Sequence, residues 1–225
     1  MIPWLPPDSR PESLPPASAA VGEPNGLLAA GGNLSPEWLL YAYRHGIFPW
    51  YSERQPILWW SPDPRCVLEP AEFRVHRSFA KSLRRSQHRI TMDSDFGAVV
   101  SACAAPRPGQ DGTWITAAMA HAYTEMFRLG YAHSLEVWQD GSLVGGLYGI
   151  RIGGAFFGES MFSRIRDASK FALKALADWA PGAQVELIDC QLPTEHLMSL
   201  GARAISRASY LLRVARLTQS AAACA

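Results

Sequence analysis

The chain has 225 residues, 48% of them apolar, and a formal net charge of +1, enough for a packed core in one large domain or in a small and a medium one. Its four cysteines are widely spaced with no Cys-x-x-Cys pair, the start lacks a basic and apolar leader, and no apolar stretch reaches membrane-spanning length. These features argue against a metal knuckle, a disulfide framework, a signal peptide and a membrane span; a soluble cytoplasmic protein is expected.

In chain order, residues Met1–Pro24 carry seven prolines and few core-forming side chains, so extended or mobile structure around the body is expected. Asn25-Gly26 and Gly31-Gly32 bracket the apolar run Leu27–Ala30 as turn signals. A helix follows, with Ser35 as its cap, Pro36 at its first position, Glu37 at the positive end of its dipole and Gly46 as its stop. Ile47–Tyr51 and Leu58–Arg65 read as aromatic and irregular; packing between lobes suits Trp59 and Trp60, while packing and base stacking are both open to Trp50. Pro62 and Pro64 place a lobe junction near residue 63, dividing a small N-terminal α/β domain (1–63) from a larger one (64–225).

Residues 74–89 hold six Lys/Arg, two His and no acid, leaving 15 basic against 20 acidic residues elsewhere. As a helix, this stretch sets Arg77, Lys81, Arg84, Arg85 and His88 on one face and Phe79 and Leu83 opposite. Such a stripe is either a solvated face or a contact for phosphates.

Thr113–Thr116 leads into a helix over Ala117–Leu129. Ser134–Trp138, Asp140-Gly141 and Leu143–Ile150 read as strand, turn and strand, and Gly153-Gly154 turns the chain into a further strand at Ala155–Phe157. Polar residues then follow directly on buried strand: Glu159, Ser160 and Arg164. Asp167–Trp179 is a helix stopped by Pro181-Gly182, Val185–Gln191 a strand, Thr194–Leu200 a short helix and Tyr210–Leu217 a last apolar element before an alanine-rich tail that is expected to fray. Helix, strands, helix, strand make a layered α/β or α+β domain.

No Walker loop or Gly-x-Gly-x-x-Gly helix opening is present, Ser160 lacks the second glycine of a nucleophile elbow, and no His/Cys spacing suits a metal. Alternation on Val185–Gln191 aims Val185, Leu187, Asp189 and Gln191 to one side. An Asp at the end of an apolar face is either hydrogen-bonded to nearby backbone or a site carboxylate, with Gln191 beside it and Glu159 within reach. A hairpin, a helix and a further strand also describe the GNAT (acyl-CoA N-acyltransferase) frame, in which a glycine-rich turn opens the helix under the coenzyme pyrophosphate. Here that turn reads Ser160–Asp167 without glycine, which points to another acyl donor.

Gly31–Ser35, Gly46–Trp50, Leu58–Arg65, Gly112–Thr116, Phe157–Ser163 and Leu187–Gln191 together resemble the leucyl/phenylalanyl-tRNA–protein transferase family, in the same order from about Glu23 to about Gly201. The resemblance implies a monomeric bacterial enzyme of the cytoplasm with a small N-terminal domain and a GNAT-like C-terminal domain. It would move Leu, Phe or Met from aminoacyl-tRNA onto proteins with N-terminal Arg or Lys, marking them for N-end-rule degradation without ATP, coenzyme A or metal. It also implies Asp189 and Gln191 as a catalytic pair in which Asp189 polarises Gln191, with Gln191 either drawing the proton or only orienting the amine.

By the same resemblance Trp50 and Trp114 surround the aminoacyl-adenosine end, Leu147 and Phe156 form the side-chain pocket, and Glu159 anchors an amino group or the terminal ribose. Tyr43 and Tyr123 complete the substrate-binding set, and Arg74, Arg77, Lys81, Arg84 and Arg85 contact the tRNA backbone. Two departures stand out: the first 20 residues match no family pattern, and Leu176 and Ala180 replace phenylalanines of some relatives. Two other readings keep the fold: an RNA-binding module in which Asp189 is structural, and a peptidoglycan-type aminoacyl transferase with a muropeptide acceptor.

Overall fold

The structure is a computed structural model that describes residues 2–106 and 113–219. Gly112 of the Gly112–Thr116 motif and the alanine-rich tail lie outside those residues.

The N-terminal part builds a small sheet and one helix: β1 (Trp4–Leu5), β2 (Leu27–Gly31), α1 (Pro36–Arg44), β3 (Phe48–Pro49) and β4 (Leu58–Trp60), in the order β1-β2-β4-β3. Ser35 caps α1 by accepting from the Trp38 N–H, and Gly46, at φ 72°, takes the left-handed turn that ends it. Trp59 is fully buried, stacks on Trp38 at 5.6 Å and donates its indole N–H to the Gly31 carbonyl, so packing is its role.

The rest of the chain adds β5 (Arg65–Leu68), α2 (Arg77–Arg85), β6 (Arg89–Met92), α3 (Phe96–Ala104), α4 (Ala117–Arg128), β7 (Ala132–Gln139), β8 (Ser142–Ile152) and β9 (Ala155–Ser163). It ends with α5 (Ala168–Trp179), β10 (Leu187–Gln191), α6 (Glu195–Ser199), β11 (Arg203–Ile205) and α7 (Arg207–Gln219). The strands form one sheet in the order β11-β5-β10-β9-β8-β7-β6. Every neighbouring pair is antiparallel except β9 and β10, which run parallel because α5 carries the chain back across the sheet. The larger sheet is therefore mixed and the architecture α+β, preceded by the small N-terminal sheet and α1.

Period-two alternation sends Phe157 and Leu187 to one core and Phe156 and Ile188 to the other. The first core is continuous with the N-terminal sheet through Trp38 and Trp59, and the second lies under α2, α5 and α6 through Phe79, Phe171 and Leu197. Gly149 is required on β8, since a Cβ there would sit 2.2 Å from the Phe157 carbonyl and 2.5 Å from the Phe156 ring.

Several local expectations are corrected. The first 24 residues are not wholly irregular: β1 pairs parallel with β2, and Leu14 and Ala17 are buried. The aromatic stretches expected to be irregular supply β3, β4 and the start of β5. The basic helix stops at Arg85, and Arg89 begins an edge strand paired with β7, where β-branched Ile90 and Thr91 suit a pleated surface. His88 therefore leaves the basic stripe and sets its ring against Phe171 at 4.9 Å. Val185 precedes the strand and packs in the second core, apart from Leu187. A bulge between Asp189 and Gln191, with Gln191 at φ 56°, ends the alternation there as well.

Candidate active site

At the end of β10, Asp189 is completely buried, and so is Arg65 on the neighbouring strand β5. Two buried charges on adjacent strands must pair, and they do so bidentately: Arg65 Nε donates to Asp189 Oδ1 at 2.8 Å and Nη2 to Oδ2 at 2.7 Å. Asp189 also accepts from the Tyr210 hydroxyl at 2.7 Å and from the Gln191 backbone N–H at 3.0 Å. Arg65 Nη1 reaches back to the Gly46 carbonyl at 3.2 Å, and the guanidinium lies between the rings of Phe48 and Tyr210 at 4.7 and 4.5 Å. Burial alone would discharge Arg65, but the Asp189 charge overrides it and holds the guanidinium protonated. The bond from Asp189 to Gln191 runs to the backbone N–H, fixing the left-handed turn at Gln191. Asp189 and Gln191 thus stand together at the strand end, joined through that turn.

Both residues line a cavity of about 190 Å³. Its apolar wall is made by Leu147, Leu173, Leu176, Ile188 and Leu197, and its polar side by Glu159, Asp189 and Gln191. The volume is below the roughly 300–1,000 Å³ of drug-sized sites and suits one short side chain with its polar attachment. Leu176 itself belongs to this apolar wall, and Ala180 packs in the second core. Phe156 is fully buried against Gly149, with its ring 6.4 Å from that of Trp179, and does not line the cavity.

Glu159 joins three elements. The Tyr43 hydroxyl on α1 donates to its Oε1 at 2.7 Å and the Tyr123 hydroxyl on α4 to its Oε2 at 2.5 Å, while the two hydroxyl oxygens are 2.8 Å apart. Both tyrosines are buried, and Glu159, half-buried, lines the cavity. Burial raises the Glu159 pKa from its ordinary range to about 7; the hydrogen bonds from Tyr123 and Tyr43 oppose that rise, the Asp189 charge adds to it and Arg65 subtracts. Burial, followed by the Glu159 charge, raises Tyr43, Tyr123 and Tyr148 well above the ordinary phenol range.

Trp50 and Trp114 line a separate cleft of about 1110 Å³ together with Tyr51 and Trp60. Trp50 is 42% exposed and meets Trp60 edge-on at 5.6 Å, and the Trp60 indole N–H donates to the Trp50 carbonyl at 2.7 Å. Thr116 caps α4 and touches the Tyr51 hydroxyl at 3.2 Å, so the helix that carries Tyr123 also borders the tryptophan cleft.

On α2, Phe79 is buried edge-on against Phe171 at 5.3 Å, while Arg77, Lys81, Arg84 and Arg85 are exposed. Arg74 precedes the helix, exposed, with its backbone N–H on the Leu200 carbonyl at 2.9 Å. Lys81 and Arg85 line a groove of about 690 Å³ together with Asp140, Arg166 and Asp167, the last two 3.6 Å apart.

Sequence reasoning missed Arg65, Tyr210 and Arg166. Arg65 did carry a signal, since an arginine opening the apolar run Cys66-Val-Leu68 requires a buried partner. Among the described residues no His/Cys/Asp/Glu group could hold a metal ion, and no helix is long and apolar enough to cross a membrane.

The family model described as leucyl/phenylalanyl-tRNA protein transferase matches residues 67–215, and the model of its N-terminal domain matches residues 32–63. A leucyl/phenylalanyl-tRNA–protein transferase of Pseudomonas fluorescens (strain Pf0-1) is 57% identical over 216 residues, 96% of this chain and 95% of its own length. The transferase of the same name from Pseudomonas putida (strain W619) is 59% identical over 210 residues, 93% of this chain and 92% of its own length. Among solved structures, a ribosomal-protein-alanine N-acetyltransferase from Brucella melitensis biovar Abortus 2308 aligns with a TM-score of 0.36 at 16% identity, covering 49% of this chain and 83% of its own.

Proposed function

Since the chain belongs to the leucyl/phenylalanyl-tRNA–protein transferase family, we propose that it moves Leu, Phe or Met from charged tRNA to the α-amino group of proteins that begin with Arg or Lys. It is an aminoacyltransferase; in this reading it acts as a cytoplasmic monomer and its product is marked for N-end-rule degradation. The observation that carries the reading is the apolar cavity of about 190 Å³ with Glu159, Asp189 and Gln191 along one side. A short apolar side chain fills such a cavity, a charged one is excluded by its desolvation, and one methylene more or less is poorly discriminated.

The ester that joins an amino acid to tRNA is already activated. The reaction then needs alignment of ester and amine and removal of a proton, and these positions can provide both. Asp189 and Gln191 form the proposed catalytic pair: Asp189, held by Arg65 and Tyr210, fixes the turn that presents the Gln191 amide to the cavity. Leu147 contacts the transferred side chain, Phe156 backs it, and Tyr43, Tyr123 and Glu159 contact the polar groups. Trp50 and Trp114 stack on the terminal bases, a contact of about 1–3 kcal/mol per base. Arg74, Arg77, Lys81, Arg84 and Arg85 contact tRNA phosphates. The two proposed domains meet near residue 63.

The test is transfer of labelled Leu from Leu-tRNA to a peptide beginning with Arg. Product with that peptide and none with a muropeptide amine supports the assignment. Binding of tRNA without product would leave an RNA-binding module, and product with the muropeptide alone would leave a cell-wall transferase.

A further inference from the structure

We propose that Glu159 is the group that takes the proton from the acceptor's α-ammonium, a role that rests on the aminoacyl-transfer reading above. The first support is the accounting of lone pairs. A carboxylate offers about four acceptor directions, two on each oxygen. On Asp189, Oδ1 already accepts from Arg65 Nε and the Gln191 N–H, and Oδ2 from Arg65 Nη2 and the Tyr210 hydroxyl. No direction remains for an incoming ammonium. Asp189 is therefore a positioning residue, and the Gln191 amide is too weak a base to hold a proton. Glu159 borders the same cavity and has one donor on each oxygen, Tyr43 on Oε1 and Tyr123 on Oε2, so each oxygen keeps a free direction.

The second support is the count of protons in the Tyr43–Tyr123–Glu159 ring. Three short oxygen–oxygen contacts, at 2.8, 2.7 and 2.5 Å, each need a hydrogen between them. The tyrosines supply two. With Glu159 ionised, both hydroxyls donate to it and the contact between the hydroxyls has no hydrogen. With one proton on Glu159, all three contacts hold one. The ring is thus satisfied only after it has gained a proton, which makes it a built acceptor for one. Among the groups facing Glu159, Asp189 on β10 favours its protonated form, whereas the donors Tyr123 on α4 and Tyr43 on α1 and the Arg65 guanidinium on β5 favour the ionised one, and burial outweighs them.

The acceptor ammonium gives one proton to Glu159, and the free amine attacks the ester carbonyl carbon. The C–N bond forms, the bond from carbon to the ribose oxygen breaks, and the second nitrogen proton leaves with that oxygen as the ribose hydroxyl. Glu159 then returns its proton to solvent. Amide, free tRNA end and one released proton account for every atom.

The test is Glu159→Gln. Its amide NH₂ supplies the missing hydrogen of the ring permanently, so the fold and tRNA binding persist, but it cannot take a proton. The wild-type transfer rate is expected to rise with pH through about 7. In Glu159→Gln that rise disappears, the rate at neutral pH falls about 10²–10⁴-fold and the acceptor KM is little changed. An α-hydrazino peptide, whose nucleophile is already neutral at pH 7, loses much less. Difference infrared spectra, wild type minus Glu159→Gln, should show a protonated carboxyl band that titrates away as pH rises through 7. A raised KM with the pH dependence intact would make Glu159 an anchor and overturn the proposal. Transfer by the wild type without that carboxyl band would overturn it equally, while no transfer by the wild type would remove the reaction and this role together.

Discussion

Replacing Asp189 by Ala leaves the Arg65 guanidinium fully buried with its partner gone and the Tyr210 hydroxyl without its carboxylate. Breaking a buried ion pair by removing one partner costs about 3–5 kcal/mol. A 150–250-residue domain loses about 2–4 °C of Tm per kcal/mol, so the melting temperature should fall by about 6–20 °C. Removing both partners tells a different story. Arg65→Met combined with Asp189→Leu replaces the pair with apolar side chains and should regain most of that loss, because no stranded charge remains. Calorimetry on the wild type, Arg65→Met, Asp189→Leu and the double variant closes the cycle. Transfer should be absent from every variant that lacks Asp189, including the stable double one, while tRNA binding persists in the double variant. A single variant that melts within about a degree of wild type would refute the buried-pair reasoning, and an active double variant would refute the role of Asp189 in holding Gln191.

Leu176→Phe should narrow the cavity and shift transfer from Phe toward Leu and Met by about 10-fold or more, read as a ratio of kcat/KM values with competing charged tRNAs. Charge reversal at Arg84 and Arg85 should weaken tRNA binding for every sequence and reduce the slope of log K against log salt by about 2, measured by titration across salt concentrations. Glu159 also sets a stability window. Its folded pKa, about 7, lies above its ordinary value of 4.5, so the folded protein binds more protons between those values. Stability from this group is full below about 4.5 and is lost as pH rises through about 7, a slope that urea titrations should find in the wild type and not in Glu159→Gln.

The legible parts of the chain were those set by neighbours in sequence. Ser35, Thr116 and Thr194 each cap the helix that their position announces, and Gly153 turns the hairpin between β8 and β9. Glu159 and Asp189 were visible because a charge at the end of an apolar strand demands a partner. Their partners were not: Arg65 lies 124 residues from Asp189 and Tyr43 lies 116 from Glu159, distances closed by the sheet order for the first and by the docking of α1 for the second. Alternation failed at Gln191 because a bulge interrupts it. The helix α3 went unread although Asp95 caps it, since its nine residues show little contrast between faces. The edge strand β6 was hidden inside a run of basic residues whose helical spacing continued past the true helix end.

The donor that Tyr210 gives to Asp189 comes from α7, which follows every strand of both sheets in the chain. Protein synthesis delivers elements in chain order, at about 5–20 residues per second. While a chain is being made, the Arg65–Asp189 pair can assemble once β10 has emerged, yet the cage around Asp189 stays one donor short and Arg65 lacks one of its two aromatic covers until α7 arrives. A nascent chain would thus carry an unfinished cage around Asp189 while still beside the ribosome. The order of elements places completion of the Asp189 cage after completion of the sheet.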